Sequence, residues 1–424
     1  MVDYSIEIKL LEPVAIAAQK GVGNVIPSLE YIPGSTLRGA IADMWLKANF
    51  DKHGPVDIKT LPHAKQQEFQ QLFLAPEVVW GNCTIKGARF IPRTALTCKY
   101  EKGFSVDSHH GGTNIIARDA GLALARDPDI RLLSCEHCGE AAALDPFEGF
   151  YLHSGGRLSI CKVVKHFMAR TRISETFEAA DPGALYTREG LDAGQVFKGK
   201  LRLRDQADFQ KIKDYLGQVD STIYIGASKS RSTGRAQIKI TPYSPQWPEE
   251  QNFSSRKRFE LFQKEVNLPG CSWALTATSD IIILDEFLRA KSWIDIDDII
   301  SAVVAGLHHE EQAAGGKIEA IIRILRTFHF VRGWAQMKTV SGWHAAWRMP
   351  KFDDLAISAG SVFFFYRAQP EKLSKEPLDA LGQSEAELFF EAMEILQRRG
   401  IGGRLNEGFG QVIFCSYFHT GRAW

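Results

Sequence analysis

The sequence predicts an α+β chain of two similar halves, each a helix packed on a small antiparallel sheet, with a cysteine-rich lobe inserted into the first. Three observations carry this. Strand-like and helix-like periodicities alternate in both halves. The segment "AGQVF" at Ala193–Phe197 is echoed by "AGSVF" at Ala359–Phe363, and each is followed by a strand, a helix, a glycine-rich loop and a last strand. A cysteine-bearing stretch within the first half has no sustained period at all. At 424 residues the chain also exceeds what one hydrophobic core usually serves.

The elements follow in order. Tyr4, Ile6, Ile8 and Leu10 alternate with polar residues, the mark of a half-buried strand. "YIPGSTLRGAIADMWLKANF" predicts a helix capped by Ser35, with Leu37, Ile41, Met44 and Trp45 as its apolar stripe. The irregular lobe occupies about 92–160. "VFKGKLRLR" then places Phe197, Gly199, Leu201 and Leu203 on one strand face and Lys198, Lys200, Arg202 and Arg204 on the other. Phe209, Ile212, Tyr215 and Leu216 recur at helical spacing. Prolines at 242, 245 and 248 favour an extended path and mark a boundary: first unit 1–242, linker 243–256, second unit 257–424. In the second unit Ser384 and Glu387 have capping-box spacing. The loop Gly400–Phe414 follows, its "GFGQV" corresponding to "GRAQI" at Gly234–Ile238.

The amino terminus lacks the apolar core of a signal peptide, and the longest apolar runs, Ile281–Leu284 and Val362–Tyr366, are too short to span a bilayer. A cytoplasmic protein with no membrane partner is expected. Seven cysteines do not suggest a disulfide framework. A net charge of +1 argues against a free-standing, non-specific nucleic-acid binder. That average hides a segregation, for 196–240 carries ten basic and four acidic residues and 276–311 carries two basic and eight acidic. The first segment can attract phosphate; the second faces water or a basic partner.

The glycine-rich loops suggest what the first segment holds. Glycines let backbone amides approach a ligand, and successive amides form a donor surface suited to phosphate oxygens. Lys229, Arg231 and Arg235, interleaved with Ser230, Ser232 and Thr233, add charge and hydroxyls in one loop; Gly402, Gly403 and Arg404 do so in the other. Arg38, directly behind "PGST" at the start of a helix, can reach a phosphate or form a salt bridge. Such groups grip a phosphodiester chain without reading its sequence, which points to RNA.

Together, "YIPGSTLRG", "GASKSRSTGRAQI" and "GIGGRLNEGFGQV" resemble the RAMP superfamily of CRISPR-associated proteins. The resemblance implies two ferredoxin-like (RNA-recognition-motif-like) units with a glycine-rich loop near the carboxyl end. The insertion after "PRTALTCK" and the segment "GWHAAWRMPKFDDLAISAGSVF" are similar to the Cas5-like subunit of type III, particularly III-D, effector complexes. That similarity implies a subunit holding the 5′ handle of the guide RNA (crRNA). It also implies contact with the large polymerase-like subunit and with backbone RAMP subunits, target RNA being met indirectly through base pairing.

Two further questions concern chemistry. Cys135 and Cys138 have C-x2-C spacing, Cys98 borders the same segment, and His110 is the preferred fourth ligand, with His109, Cys161 and Cys83 as rivals. Nitrogen and sulfur ligands favour zinc, in a structural role, since neither an H-E-x-x-H motif nor an H-x-E followed by P-C-x-x-C is present. Target-cutting relatives carry an aspartate shortly before "IPGS". None stands between Leu11 and Ser35 here, where Asn24 and Glu30 are found. His53 and His63, the formal candidates for guide processing, sit in a polar stretch typical of exposed loops. A non-catalytic RNA scaffold is therefore expected, with a RAMP endoribonuclease and a protein-only interaction module as the alternatives. Trp334, Trp343 and Trp347 are expected as core or interface anchors, and His308 and His309 as solvent-facing.

Overall fold

In the computed structural model of the chain, the alternating segment Val2–Leu10 is the central strand of a sheet, with Tyr4, Ile6, Ile8 and Leu10 all buried. The structure describes residues 1–18, 25–50, 57–104, 110, 112–125, 133–135, 137–139, 143–154, 157–171, 186–227, 233–251, 254–309, 315–344, 349–370, 372–376 and 383–420. Val196–Leu203 pairs antiparallel on one side of the central strand and Arg235–Pro242 on the other. Val79–Trp80 and Thr84–Ile85 pair with Val196–Leu203, and Thr222–Tyr224 extends the opposite edge. Ranked by chain position, the four main strands (Val2–Leu10, Val79–Trp80, Val196–Leu203, Arg235–Pro242) run fourth, first, third, second across the sheet. The helices Gly34–Asn49 and Gln206–Gly217 bring Leu37, Ile41, Trp45, Ile212 and Leu216 to the buried face. Tyr4 stacks on Phe209 with ring centroids 4.2 Å apart.

The second sheet repeats this order. Cys271–Ala277 is flanked by Val362–Arg367 and Val412–Phe414, and His329–Trp334 lies beyond Val362–Arg367. The helices Ile296–His309 and Gly315–Leu325 link its first two strands, and Glu385–Arg399 links the last two. Both echoed segments lead into the third strand of their sheet, through Gly194 and Gly360 at φ +83° and +85°. That left-handed turn is open to glycine at little cost, which explains why the echo keeps it. The mixed helix-and-sheet architecture is α+β, as expected.

Caps separate what is local from what is not. Ser384 and Glu387 form the expected capping box. Ser35, by contrast, does not cap the first helix, which begins at Gly34 after Pro33 with no side-chain cap from its own segment. Its orphan amide is satisfied from elsewhere: Asn82 Oδ1 accepts from the Gly34 N–H at 2.9 Å.

Between the second and third strands of the first sheet, the chain builds small sheets from Arg89–Phe90, Phe150–Ser154 and Arg157–Cys161, and from Ala95–Cys98, Thr113–Asn114 and Leu144–Pro146. This insertion braces the other half. The buried Asp119 carboxylate, on the helix Ile116–Ala125, accepts from Trp334 Nε1 at 3.2 Å and pairs with Arg332 at 3.4 Å. His419 bridges Asn114 and Thr276, at 3.0 Å to each. Past Pro242 the chain seats a buried Trp247, with the Arg89 guanidinium 4.1 Å from its ring centroid. The helix Ser255–Val266, capped by Ser254, then starts within the segment expected as linker. Among the described residues no helix is long and apolar enough to cross a membrane.

Candidate nucleic-acid interface and metal centre

The outward face of the first sheet lines a cleft of about 790 Å³ that it shares with the second half. Alternation along Val196–Leu203 aims Lys198, Lys200 and Arg202 into it, and Lys239 joins them from the neighbouring strand. Arg89, Arg258 and Arg398 complete seven cations against Asp3, Glu7, Glu250 and Glu394. The acids are partly committed. Asp3 pairs with Lys200 and with Arg202 Nε, both at 2.7 Å, and Glu7 with Lys198 at 3.4 Å. Burial works to raise the Asp3 pKa, but the hydrogen bonds and charges of Arg202 and Lys200 outweigh it and hold the carboxyl below its ordinary value. Lys200 Nζ also lies 4.3 Å from the centroid of Tyr243, an aromatic face in the same cleft. Arg204, grouped with these cations in the sequence reading, instead turns back to pair with Asp208 at 2.8 Å, because the strand ends at Leu203.

Of the expected loop residues, Lys229, Ser230, Arg231 and Ser232 lie outside the described residues. Thr233 is buried and its hydroxyl donates to the Ala227 carbonyl at 3.2 Å. Arg235, about half exposed, lies 3.3 Å from Glu12.

The structure brings Arg38 and Arg404 together although 366 positions separate them in the chain. Glu407 is their common partner: Arg38 at 2.8 Å, Arg404 at 2.6 Å and Lys351 at 2.8 Å. Burial opposes the Glu407 charge, but Arg38, Arg404 and Lys351 overcome it and pull its carboxyl down to about 2. Arg404 also pairs with Asp354 at 2.7 Å. Gly402 and Gly403 are exposed, yet their backbone hugs the protein: the Gly403 N–H donates to the Ile282 carbonyl, and a Cβ on Gly402 would collide with that oxygen. A related clasp, missed in the sequence, uses the tyrosine of "YIPGS". Tyr31 donates to the buried Asp280 at 2.9 Å, and Lys338 lies 2.8 Å from the same carboxylate. Only a pairing across 249 positions reveals it.

Cys98, His110, Cys135 and Cys138 form the one group among the described residues that could hold a metal ion, their ligand atoms all within 4.8 Å of one another. His110 Nδ1 stands 3.6, 3.7 and 3.1 Å from the sulfurs of Cys98, Cys135 and Cys138, and the Cys98 and Cys138 sulfurs are 3.8 Å apart. A tetrahedral ion with bonds of about 2.3 Å to sulfur and about 2.05 Å to nitrogen requires edges of about 3.8 and about 3.6 Å. The donor set fits. Cys98 ends a strand, and the Gly139 N–H donates to the Cys135 carbonyl at 3.0 Å, closing the turn that points Cys135 and Cys138 the same way. The Glu101 backbone amide, ahead of Tyr100 and His110, draws the Cys98 thiol down to about 6 and readies a thiolate. Cys83 and Cys161 are buried in the first half's core instead, and His109 lies outside the described residues.

For the catalytic candidates, His63 is exposed at the start of the helix His63–Phe69, Glu30 pairs with Lys165 at 2.9 Å, and Asn24 and His53 lie outside the described residues. Trp334 is buried as expected and His308 is exposed, while Trp347 and the side chains of Trp343 and His309 lie outside the description.

Fold and site together define an α+β protein with two sheets of one strand order, a cationic cleft between the halves and a three-cysteine, one-histidine cluster. A sequence model of the RAMP superfamily matches residues 7–237, more than half of the chain, and the chain belongs to that superfamily. No curated protein matches it. Among solved structures, it is similar to a chain of the type III-B Cmr-beta structure bound to cognate target RNA and AMPPnP, at 12% identity and a TM-score of 0.35, covering 85% of this chain and 86% of that one. It is also similar to a Cas6 product complex, at 8% identity and a TM-score of 0.41, covering 97% and 98%. A Thermus thermophilus Cas6 aligns at 9% identity and a TM-score of 0.29, covering 58% and 78%.

Proposed function

We propose that this RAMP protein is a non-catalytic, guide-RNA-binding scaffold subunit of a type III CRISPR effector complex, of the Cas5-like kind. Two ferredoxin-like units, 1–242 and 257–424, form its frame; the shared fourth-first-third-second strand order supports this. The observation that carries the reading is the open face of the first sheet. Lys198, Lys200, Arg202 and Lys239 stand in one cleft with Tyr243, cations for phosphate beside an aromatic face for a base. In sequence, Lys229, Ser230, Arg231, Ser232 and Thr233 immediately precede Arg235–Pro242, the strand that carries Lys239, and their charges and hydroxyls are assigned to the same RNA ligand. The 5′ handle of the guide is the ligand, and the large polymerase-like subunit and backbone RAMP subunits are the neighbours. Cys98, His110, Cys135 and Cys138 hold a structural zinc, which ties the insertion together.

Fluorescently labelled repeat-derived RNA, titrated with the chain and with a Lys229, Arg231 and Arg235→Ala variant, tests the binding. The variant is expected to bind more weakly and with a shallower salt dependence. Unchanged affinity and salt dependence would favour a protein-only interaction module. The same RNA should stay intact during the titration; specific cleavage lost in His63→Ala or His53→Ala would make the protein an endoribonuclease. Elemental analysis of natively purified protein should find one zinc per chain.

A further inference from the structure

The acidic stretch after Cys271–Ala277 folds into a tight tip. Leu284 bridges Ala290, and the Asp285 N–H donates to the Arg289 carbonyl at 2.9 Å. The Asp285 carboxylate accepts from the amides of Phe287 and Arg289 at 2.9 and 2.8 Å and pairs with the Arg289 guanidinium at 2.8 Å. Within this frame Leu288 sits at φ +60°, a conformation that bulky residues rarely adopt. The result is outward display of apolar surface: Phe287 is 68% and Leu288 78% exposed, with Leu284 and Trp293 exposed at the base. Beneath them Ile281, Ile283 and Ile294 are buried, so the tip stands on a firm support. From 284 to 298 the chain carries five acidic residues and two basic ones.

We propose that this tip is a knob for a second protein, seating Phe287 and Leu288 in an apolar pocket rimmed by lysine and arginine. Clustered apolar exposure on a soluble chain marks contact surfaces. A loop already held by its own carboxylate loses little freedom on docking, which favours affinity. Asp285 is taken up by Arg289, and Asp295 and Asp298 share Lys291, so the excess negative charge around the tip, with Glu286 and Asp297, chooses the class of partner. It repels RNA phosphates and anionic headgroups, and it complements a cationic rim. The inference stands apart from the RNA-binding reading, because the knob and the cleft share no residue.

The test places a photo-cross-linking amino acid at position 287 in the full chain, expressed in its native host. The double variant Phe287→Asp/Leu288→Asp and the milder Leu288→Gly, which suits the observed φ, serve as comparisons. The expected result is an adduct with another protein, at a peptide of apolar residues flanked by lysine or arginine. Co-purification of that protein without cross-linking should fall about thirtyfold from the unaltered chain to the double variant, as for loss of a buried hot spot. It should also fall in Leu288→Gly, with thermal unfolding and RNA affinity of that variant unchanged. An adduct on RNA, on lipid or on a second copy of this chain, no adduct at all, or undiminished recovery with Leu288→Gly would each overturn the proposal.

Discussion

The two sheets share a strand order and differ in what covers them. Along Val2–Leu10 burial alternates, whereas every residue of Cys271–Ala277 is buried. In the second half, neighbouring strand residues find partners on both faces. Phe262, from the helix Ser255–Val266, packs on Phe364, while Phe389, from Glu385–Arg399, packs against Trp273, which itself stacks on Phe365. The insertion adds a further brace to this side through Asp119 and Asn114. An antiparallel sheet covered twice is an anchor; one covered once keeps a face for a ligand. The duplicated architecture thus divides its labour, with the lobe of the first half strengthening the second and leaving the first sheet open to the cleft.

On the proposed zinc assignment, removing the metal should have the largest effect on this contrast, because a small lobe with little core would depend on such an ion for folding. Chelation, or Cys135→Ser with Cys138→Ser, should release zinc and lower the melting temperature, and hydrogen exchange should rise in His329–Trp334 on the braced side before Val2–Leu10. Next comes the buried sheet. Phe364→Ala should cost about 3–5 kcal/mol in denaturant unfolding, while Lys239→Ala on the open sheet should stay within about 0.5 kcal/mol. Equal costs would erase the distinction. A smaller effect concerns the junction at Glu407. Its carboxyl lies at about 2 in the folded protein, below its ordinary 4.5, so its stabilisation is complete above about pH 4.5 and is lost as the pH falls toward 2. The loss amounts to about 3 kcal/mol and should vanish from the acid-unfolding profile of Glu407→Gln.

Local patterns were legible in the sequence. The alternation of Tyr4 to Leu10, the Ser384–Glu387 box, the third strands entered through Gly194 and Gly360, and the clustering of Cys98, His110, Cys135 and Cys138, which could hold a metal, all depend on spacing within one segment or on residue type. What escaped depends on partners far along the chain. Asn82 replaces Ser35 as the cap of the first helix, and Arg38 and Arg404 converge on one carboxylate. Tyr31 reaches Asp280, and the second sheet is covered on both faces. No periodicity encodes which distant surface will arrive to satisfy a donor or cover a strand, so a residue such as Arg38 reads equally well as a phosphate ligand and as half of an ion pair.

The central claim is that the open sheet face grips a guide RNA through its phosphates. The most direct test compares the salt dependence of single-stranded RNA binding by the chain and by a Lys198, Lys200 and Lys239→Gln variant of matched thermal stability. Each phosphate contact on a single strand contributes about 0.7 to the slope of log affinity against log salt. Loss of the three contacts should therefore flatten the slope by about 2, with weaker binding at low salt. An unchanged slope and affinity would contradict the account.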